Sequence, residues 1–577
     1  MESITHDILV IGGGLAGLRA AITAASEGLS VGLVSKVYPM RSHTVSAEGG
    51  AAAVVRDDTG DSLQLHFEDT VKGSDFIADQ NVVEYFVHEA PNELIQMEHW
   101  GCPWSREPDG SVSVRAFGGM SVNRTLFAAD KSGFHLLHAI FQTTLRFDRI
   151  HRYDEHFVTK LLVDDGVCRG VVAFDMRTGE FRHFSAKATI LATGGCGRLW
   201  AFTTNAFINT GDGLGLAYRA GAPLSDMEFP QYHPTGLPGT GILITEAARG
   251  EGGYLINKDG DRFLRNSAVA SRMELGPRDM ISRAMMDEFA AGRGIHGHFG
   301  EYLLLDLRHL GEAKINQKLP FVRELAENYV GIDPVREPIP VRPVVHYMMG
   351  GVRTNLDGET SIPGLYACGE CAQEGLNGAN RLGSNSLTEC LVFGHRTARA
   401  ATQYAKALTT PPSPALDAQA DDAERDVIAR FIDRSDGNER VGLIRSDLQQ
   451  AMERNVGVYR TKEGLMQAAE DVRALQERFR HVRLDDTSKV FNTELTAALE
   501  LENLLDIAET VVAPAILREE SRGSQARRDF PKRDDERFLA HSMVFRTPDG
   551  PRVEWQEAVL EWPGAVLHEL APKERVY

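Results

Sequence analysis

Two groups of residues have types and spacings suited to chemistry. Gly12-x-Gly14-x-x-Gly17 stands between an apolar run, Ile8–Ile11, and a helical pattern. Glycines at that spacing permit a tight turn and a close approach of backbone to a pyrophosphate, which sits at the helix N-terminus. Alone such a turn is weak evidence, but a strand before it and a helix after it make dinucleotide binding the better reading. The second strand ends Val34-Ser35-Lys36, with no acid to hold a ribose hydroxyl, so NAD is the less attractive ligand. The second group is Ser35-Lys36-Val37-Tyr38-Pro39-Met40-Arg41-Ser42-His43-Thr44, followed by Glu48-Gly49-Gly50. It sets a histidine among hydroxyls and a cation directly after the dinucleotide unit. Cys368-x-x-Cys371 reads as two small residues in a glycine-rich turn. No second cysteine pair completes a zinc site, and Ala372 stands where a haem motif needs histidine.

The elements that must position these residues follow from periodicity. Asp7–Ile11 reads as a buried strand, a helix runs from the glycine turn to about Ser26, and Ser30–Val34 reads as a second strand. Pro/Gly-rich and polar segments follow through Asp130. A strand pair near Thr159–Val163 and Gly170–Asp175 precedes an apolar strand, Ala188–Ala192. Residues 230–345 read as a separate α+β insertion. Ile362–Cys368 reads as another buried strand, and Leu387–Ala405 as a helix. Pro411-Pro412-Ser413-Pro414 signals a linker. Apolar residues recur at three- and four-residue spacing from Leu495 to Ile516, with Asn492 as a candidate N-cap.

A chain of 577 residues has room for a large core and several domains. A net charge of −19 disfavours a nucleic-acid role, while local arginines can still draw an anion into a pocket. Six sparse cysteines point to a reducing compartment. No signal peptide and no membrane-spanning run is visible.

Further strings occur in chain order. They include Trp100-Gly101-Cys102-Pro103-Trp104-Ser105, Phe117-Gly118-Gly119-Met120, Gln231-Tyr232-His233-Pro234-Thr235-Gly236 and Thr245-Glu246-Ala247-Ala248-Arg249-Gly250-Glu251. Glu274-Leu275-Gly276-Pro277-Arg278-Asp279, His346-Tyr347-Met348-Met349-Gly350-Gly351 and Gly378-Ala379-Asn380-Arg381-Leu382-Gly383-Ser384-Asn385-Ser386 complete the set. Together with the His43 string they closely resemble the flavoprotein subunits of fumarate reductases and succinate dehydrogenases, over roughly residues 5–545.

The resemblance implies an α/β fold. A Rossmann-like FAD-binding domain (1–226 and 347–405) is interrupted by an α+β capping domain (227–346). A helical domain (406–526) and a small C-terminal domain (527–577) follow. It implies FAD bound covalently through His43, with further contacts at Gly12, Gly14, Gly17, Ser35, Lys36, Thr44, Glu48, Gly49 and Gly50. His156, Phe157, Val158, Thr193, Gly194, Asp212, Glu370, Arg381, Ser386 and Leu387 extend that set. No resident metal is implied. A dicarboxylate needs cations and donors at both ends. By resemblance His233, Thr245, His346 and Arg381 bind it, with Phe117 close by. Arg278 is implied as the acid/base, with Glu246 and Arg249 relaying protons to it. A guanidinium is an unusual acid, but a crowd of cations in a closed, dry site makes its proton easier to give up. The bland alternative for Arg278 is a surface ion pair with Asp279.

The resemblance also implies an iron–sulfur subunit, quinone-binding membrane anchors and a peripheral place at the cytoplasmic face of the inner membrane. Glu48, Tyr38, Met40 and the Glu274–Asp279 string lean toward fumarate reduction over succinate oxidation. L-aspartate oxidase shares the fold but holds FAD non-covalently, and the Arg41-Ser42-His43-Thr44 string argues against it. A non-catalytic flavin scaffold would not need the full set of arginines and histidines.

Overall fold

The computed structural model describes residues 2–56, 58, 60–409 and 415–576. The linker at Pro411–Pro414 lies outside the described residues. Ile8, Leu9 and Val10 are wholly buried, as expected of a parallel strand covered on both faces. They belong to the strand Glu2–Ile11, which lies inside a seven-stranded sheet. It pairs in parallel with Val31–Ser35 on one side and Phe181–Leu191 on the other. Ile150–Asp154 extends the first edge. His156–Asp164 and Val167–Asp175 form the antiparallel pair beyond the other, and Leu365–Ala367 adds to Phe181–Leu191 in parallel. The first strand starts earlier than its apolar run. Glu2 to His6 pair with Arg182 to Ala186 through backbone, which leaves no hydrophobic signal.

The helix Leu15–Ser26 ends where its pattern ends. Two glycines make the turn before it. Gly12 has φ +115°, and a Cβ there would strike the Ala192 carbonyl; a Cβ on Gly17 would strike the Gly12 carbonyl. Helix and strand therefore approach as only glycines allow.

The reading of the chain from the second strand through Asp130 as Pro/Gly-rich and polar segments needs correction. Two helices, Leu63–Gly73 and Gln80–His99, lie there. Pro91 sits inside the second, which argues locally against a helix. Tertiary burial overrides it: Val82, Val83, Phe86, Val87, Ala90, Leu94 and Met97 form one buried stripe.

The chain enters an inserted unit along Pro230–Gly236 and returns antiparallel along Ile339–Met348. Between them Gly300–Asp306, Tyr254–Ile256 and the helix Arg278–Ala290 enclose a separate apolar core around Leu255, Ile281, Leu303 and Val341. Helices Val441–Asn455, Lys462–Phe479 and Thr493–Leu517 follow. The Asn492 side chain accepts the Leu495 N–H at 2.8 Å, the expected cap. These helices share one continuous core with the Phe157 face of the sheet.

The hairpin Ala540–Thr547 and Gly550–Glu557 joins Leu224–Ser225 in a second sheet. There His541 is wholly buried between Asp226 (2.6 Å) and Asp79 (3.1 Å), tying three distant segments together. Burial opposes its charge, but the two carboxylates win and push His541 up to about 9. A raised folded value contributes stability that is complete below the ordinary histidine range and is lost as pH rises through about 9. The stability gap between wild type and His541→Gln is therefore expected to be widest near pH 6 and to narrow toward pH 9. Thermal unfolding across that range checks it; a gap independent of pH would mean that His541 is neutral.

Candidate active site

A cavity of about 580 Å³ runs from the glycine turn into the space under the inserted domain. Gly14 precedes the helix with no side chain of its own to cap it, so the Ala16 and Gly17 N–H groups stay available to a phosphate. Leu15 N–H reaches Thr44 Oγ1 at 3.3 Å, which holds the His43–Ser46 turn against that helix end. Where an acid was lacking, Lys36 stands instead. Its Nζ meets Asp212 at 2.7 Å and Glu500 at 2.9 Å, and these carboxylates outweigh burial and raise its pKa.

His43 is the ring that the turn carries into the cavity wall. Its Nδ1 accepts the Ala206 N–H at 3.3 Å. Burial, helped by Arg198, depresses it to about 4, so the imidazole is neutral at pH 7. Glu48 lies further along, raised well above the carboxylate range by burial, and its Oε2 has no hydrogen-bond partner. Ser42 Oγ is likewise buried and unpartnered. Orphaned polar atoms along a long cavity with a glycine-turn phosphate seat fit FAD.

Of the residues expected to hold the cofactor, Gly12, Gly14, Ser35, Lys36, His43, Thr44, Glu48, His156, Phe157 and Val158 line the cavity. Thr193, Gly194, Asp212, Glu370, Ser386 and Leu387 do so too. Gly17, Gly49, Gly50 and Arg381 are not among its lining residues. Gly17 serves helix packing. A Cβ on Gly49 would meet the Phe117 ring, and Gly50 has φ +131° against the Leu126 carbonyl.

Arg381 belongs to the far end, where the cations gather. Gln231 Oε1 accepts from Arg278 Nη1 at 2.9 Å and from Arg381 Nη2 at 3.0 Å. One neutral amide thus spaces two buried guanidiniums without cancelling either charge. Gln231 Nε2 donates to the Arg381 carbonyl at 2.7 Å, which fixes the amide's orientation. Arg278 Nε donates to Glu246 Oε2 at 2.8 Å, and Arg249 Nη2 lies 3.5 Å from the same oxygen. Burial opposes the Glu246 charge, but Arg278 and Arg249 overcome it and lower its pKa. Gly118 N–H holds the other carboxylate oxygen. Arg249 donates to the Glu274 carbonyl, and its Nε and Nη2 make no hydrogen bond; burial lowers its pKa. Arg278 is buried and pairs with Glu246, whereas Asp279 pairs with Arg283 and Arg575. The surface-pair alternative is excluded.

The His233 and His346 rings lie 5.0 Å apart, tilted by 56°. His346 is the extra residue of a β-bulge, since Gln231 pairs with Tyr347 and Tyr232 with Val345. Its Nδ1 contacts Thr204 Oγ1 at 2.8 Å. His233 Nδ1 accepts the Thr235 N–H at 3.2 Å, which assigns the ring proton to Nε2; that atom is buried and unpartnered. Burial and the nearby arginines hold both rings neutral. Thr245 caps the short helix Glu246–Gly250, which presents Glu246 and Arg249 on one turn. The Phe117 ring closes the wall beside Gly49 and Gly383. Sequence reasoning missed Gln231, Thr204, Ala206 and Tyr347. Gln231 and Tyr347 lie inside quoted strings, but an amide or phenol carries no chemical signal until its partners are placed.

Known proteins match this chain along its whole length. A family profile described as FAD binding domain matches residues 7–387, and one described as Fumarate reductase flavoprotein C-term matches 445–577. The fumarate reductase flavoprotein subunit of Mycobacterium tuberculosis is 56% identical, covering 99% of each chain. The succinate dehydrogenase flavoprotein subunit of Rickettsia bellii is 41% identical, over 99% of this chain and 98% of that one. A solved structure of Escherichia coli quinol fumarate reductase superposes with a TM-score of 0.96 at 49% identity, covering 100% of this chain and 99% of that one. The chain belongs to the family of fumarate reductase and succinate dehydrogenase flavoprotein subunits.

Proposed function

We propose that this chain is the catalytic flavoprotein of a fumarate reductase, interconverting fumarate and succinate at bound FAD. The observation that carries it is the Arg381–Gln231–Arg278–Glu246–Arg249 chain, which meets the wall of the cavity where Arg381 packs on Tyr347. Two guanidiniums at a fixed spacing, in a cluster that sets three arginines against one carboxylate, suit a dianion with a carboxylate at each end. The identities, 56% to a fumarate reductase and 41% to a succinate dehydrogenase, favour reduction as the direction, as does Glu48. We assign the FAD-binding domain to 1–226 and 347–405, the capping domain to 227–346, the helical domain to 406–526 and the C-terminal domain to 527–577.

FAD supplies hydride exchange with one central carbon of the substrate. Gly12, Gly14 and the cavity residues named above hold it, with His43 as the covalent anchor. Arg381 grips one carboxylate, using its unpartnered Nε. His233 offers its Nε2 proton, and His346 and Thr245 add donors at the other end. Arg278 gives its proton to the second carbon. Arg249 passes a proton to the Glu246 carboxylate, which hands it on to Arg278, and Arg249 regains one from the Glu274 side. Neutral histidines orient the substrate without competing as acids.

Arg278→Lys keeps a positive charge but loses the fork to Gln231 and Glu246. Turnover is expected to fall about 1,000-fold while a dicarboxylate still binds. An unchanged kcat with a raised KM would make Arg278 a binding residue only.

His43→Ser is expected to leave FAD bound but extractable. Acid precipitation checks it: wild-type polypeptide should keep its yellow fluorescence and the variant should lose it. Acid-stable flavin in the variant would place the anchor elsewhere. Without the covalent bond the flavin potential is expected to drop, so succinate oxidation suffers more than fumarate reduction.

Among the described residues no helix is long and apolar enough to cross a membrane, and no cluster of metal-ligand side chains occurs. A flavin site that exchanges electrons with quinone then needs carriers from other chains. We assign these to an iron–sulfur subunit and to membrane anchors that hold the complex at the cytoplasmic face of the inner membrane. The purified chain should reduce fumarate with artificial dyes but not with quinol, and quinol activity should return only with those subunits. Strong quinol activity from this polypeptide alone would overturn the assignment.

A further inference from the structure

Arg381 differs from the other cations of the site. Arg278 and Arg249 share Glu246, whereas among the described residues no carboxylate lies within ion-pair distance of Arg381. A buried guanidinium without a counter-ion is costly. Burial first, then Arg278, pushes it down to about 10. What lies against it is a ring: its Cζ stands 4.4 Å from the centroid of Tyr347. Behind that ring the Tyr347 hydroxyl donates to Glu389 Oε2 at 2.8 Å. Glu389 is wholly buried, and Asn377 Nδ2 holds both its oxygens at 3.0 and 3.1 Å. A phenol that donates to a carboxylate has a more electron-rich ring, and an electron-rich face binds a cation more strongly.

We propose that Glu389 is a positioning residue for substrate binding, acting through Tyr347 to hold Arg381 in place while leaving its donors open. A direct ion pair would occupy the donors that the dicarboxylate needs. A counter-charge behind an aromatic ring avoids that. The proposal rests on the reading of Arg381 as a carboxylate grip.

Glu374 extends the arrangement. Its carboxyl interacts with that of Glu389, and its Oε1 is buried without a hydrogen-bond partner. Two buried carboxyls in contact share a proton. Burial, and for Glu374 also its neighbour, raises both above the ordinary carboxylate range. The groups facing this pair are Tyr347, Glu370, Cys390, Arg381 and, toward Glu374, Arg353. The charge on Glu389 is present above its raised folded value and is lost as pH falls through it. The hold on Arg381 weakens in the same direction.

The test uses oxidised holoprotein, in which fumarate binds without reacting, and reads its Kd by equilibrium dialysis. Glu389→Gln and Tyr347→Phe are each expected to raise Kd about tenfold, with kcat at saturation changed far less. The double variant should be no weaker than either single one, because both act along one path. In wild type the affinity should weaken as pH falls, and Glu389→Gln should flatten that change. Should the 389 variant lose flavin, Tyr347→Phe, which deletes only a hydroxyl, decides alone. Unchanged Kd in Tyr347→Phe, or additive losses in the double variant, would overturn the proposal. Wild-type protein that binds no fumarate at all would instead overturn the reading of the site.

Discussion

A single buried carboxylate holds the reactive end of this molecule together. Glu246 is nearly inaccessible, yet it stays charged because Arg278 and Arg249 both face one of its oxygens. Without it, Arg278 and Arg249 would be buried side by side and repel each other. With it, the cluster of Arg249, Arg278 and Arg381 against Glu246 carries three positive charges and one negative. Glu246 thus offsets only part of the cluster's charge, which leaves it attractive to an anion.

Everything around that carboxylate serves to bring it and its partners together. Glu246 and Arg249 share one helical turn, and Arg278 opens a separate helix of the capping domain. Arg381 arrives from the FAD-binding domain, in the glycine-rich segment before the helix Asn385–Ala407. Gln231 stands on the outgoing strand between the two domains and bonds to both. The junction is thus the site itself. A bulge in the returning strand turns His346 inward, so even an irregularity of the sheet has a chemical consequence.

At the other end of the cavity the electrostatics run the opposite way. Lys36 is neutralised by Asp212 and Glu500, and Glu500 comes from the helix Thr493–Leu517 far along the chain. His43 is kept neutral by burial beside Arg198. A neutral imidazole retains a lone pair, which a covalent bond to the cofactor requires. Charge is therefore satisfied at the nucleotide end and left open at the dicarboxylate end.

Local chemistry in the sequence was enough for the glycine turn, the helix that follows it to Ser26, the Asn492 cap and the His43 string, because each depends on neighbours a few residues away. The arginines and histidines were legible as a set through the strings that carry them. Two helices between residues 63 and 99 were not, because Pro91 and polar flanks hide a stripe that only packing reveals. Nor were Gln231, Tyr347 and Glu389, whose types suggest nothing alone. Gln231 gains its meaning from Arg381, 150 positions away, and Tyr347 from Glu389, 42 positions away. Residue type and spacing determined which groups could do the chemistry. Only tertiary structure decided which of them share a hydrogen bond, because burial sets the strength of a charge and distance sets its partner.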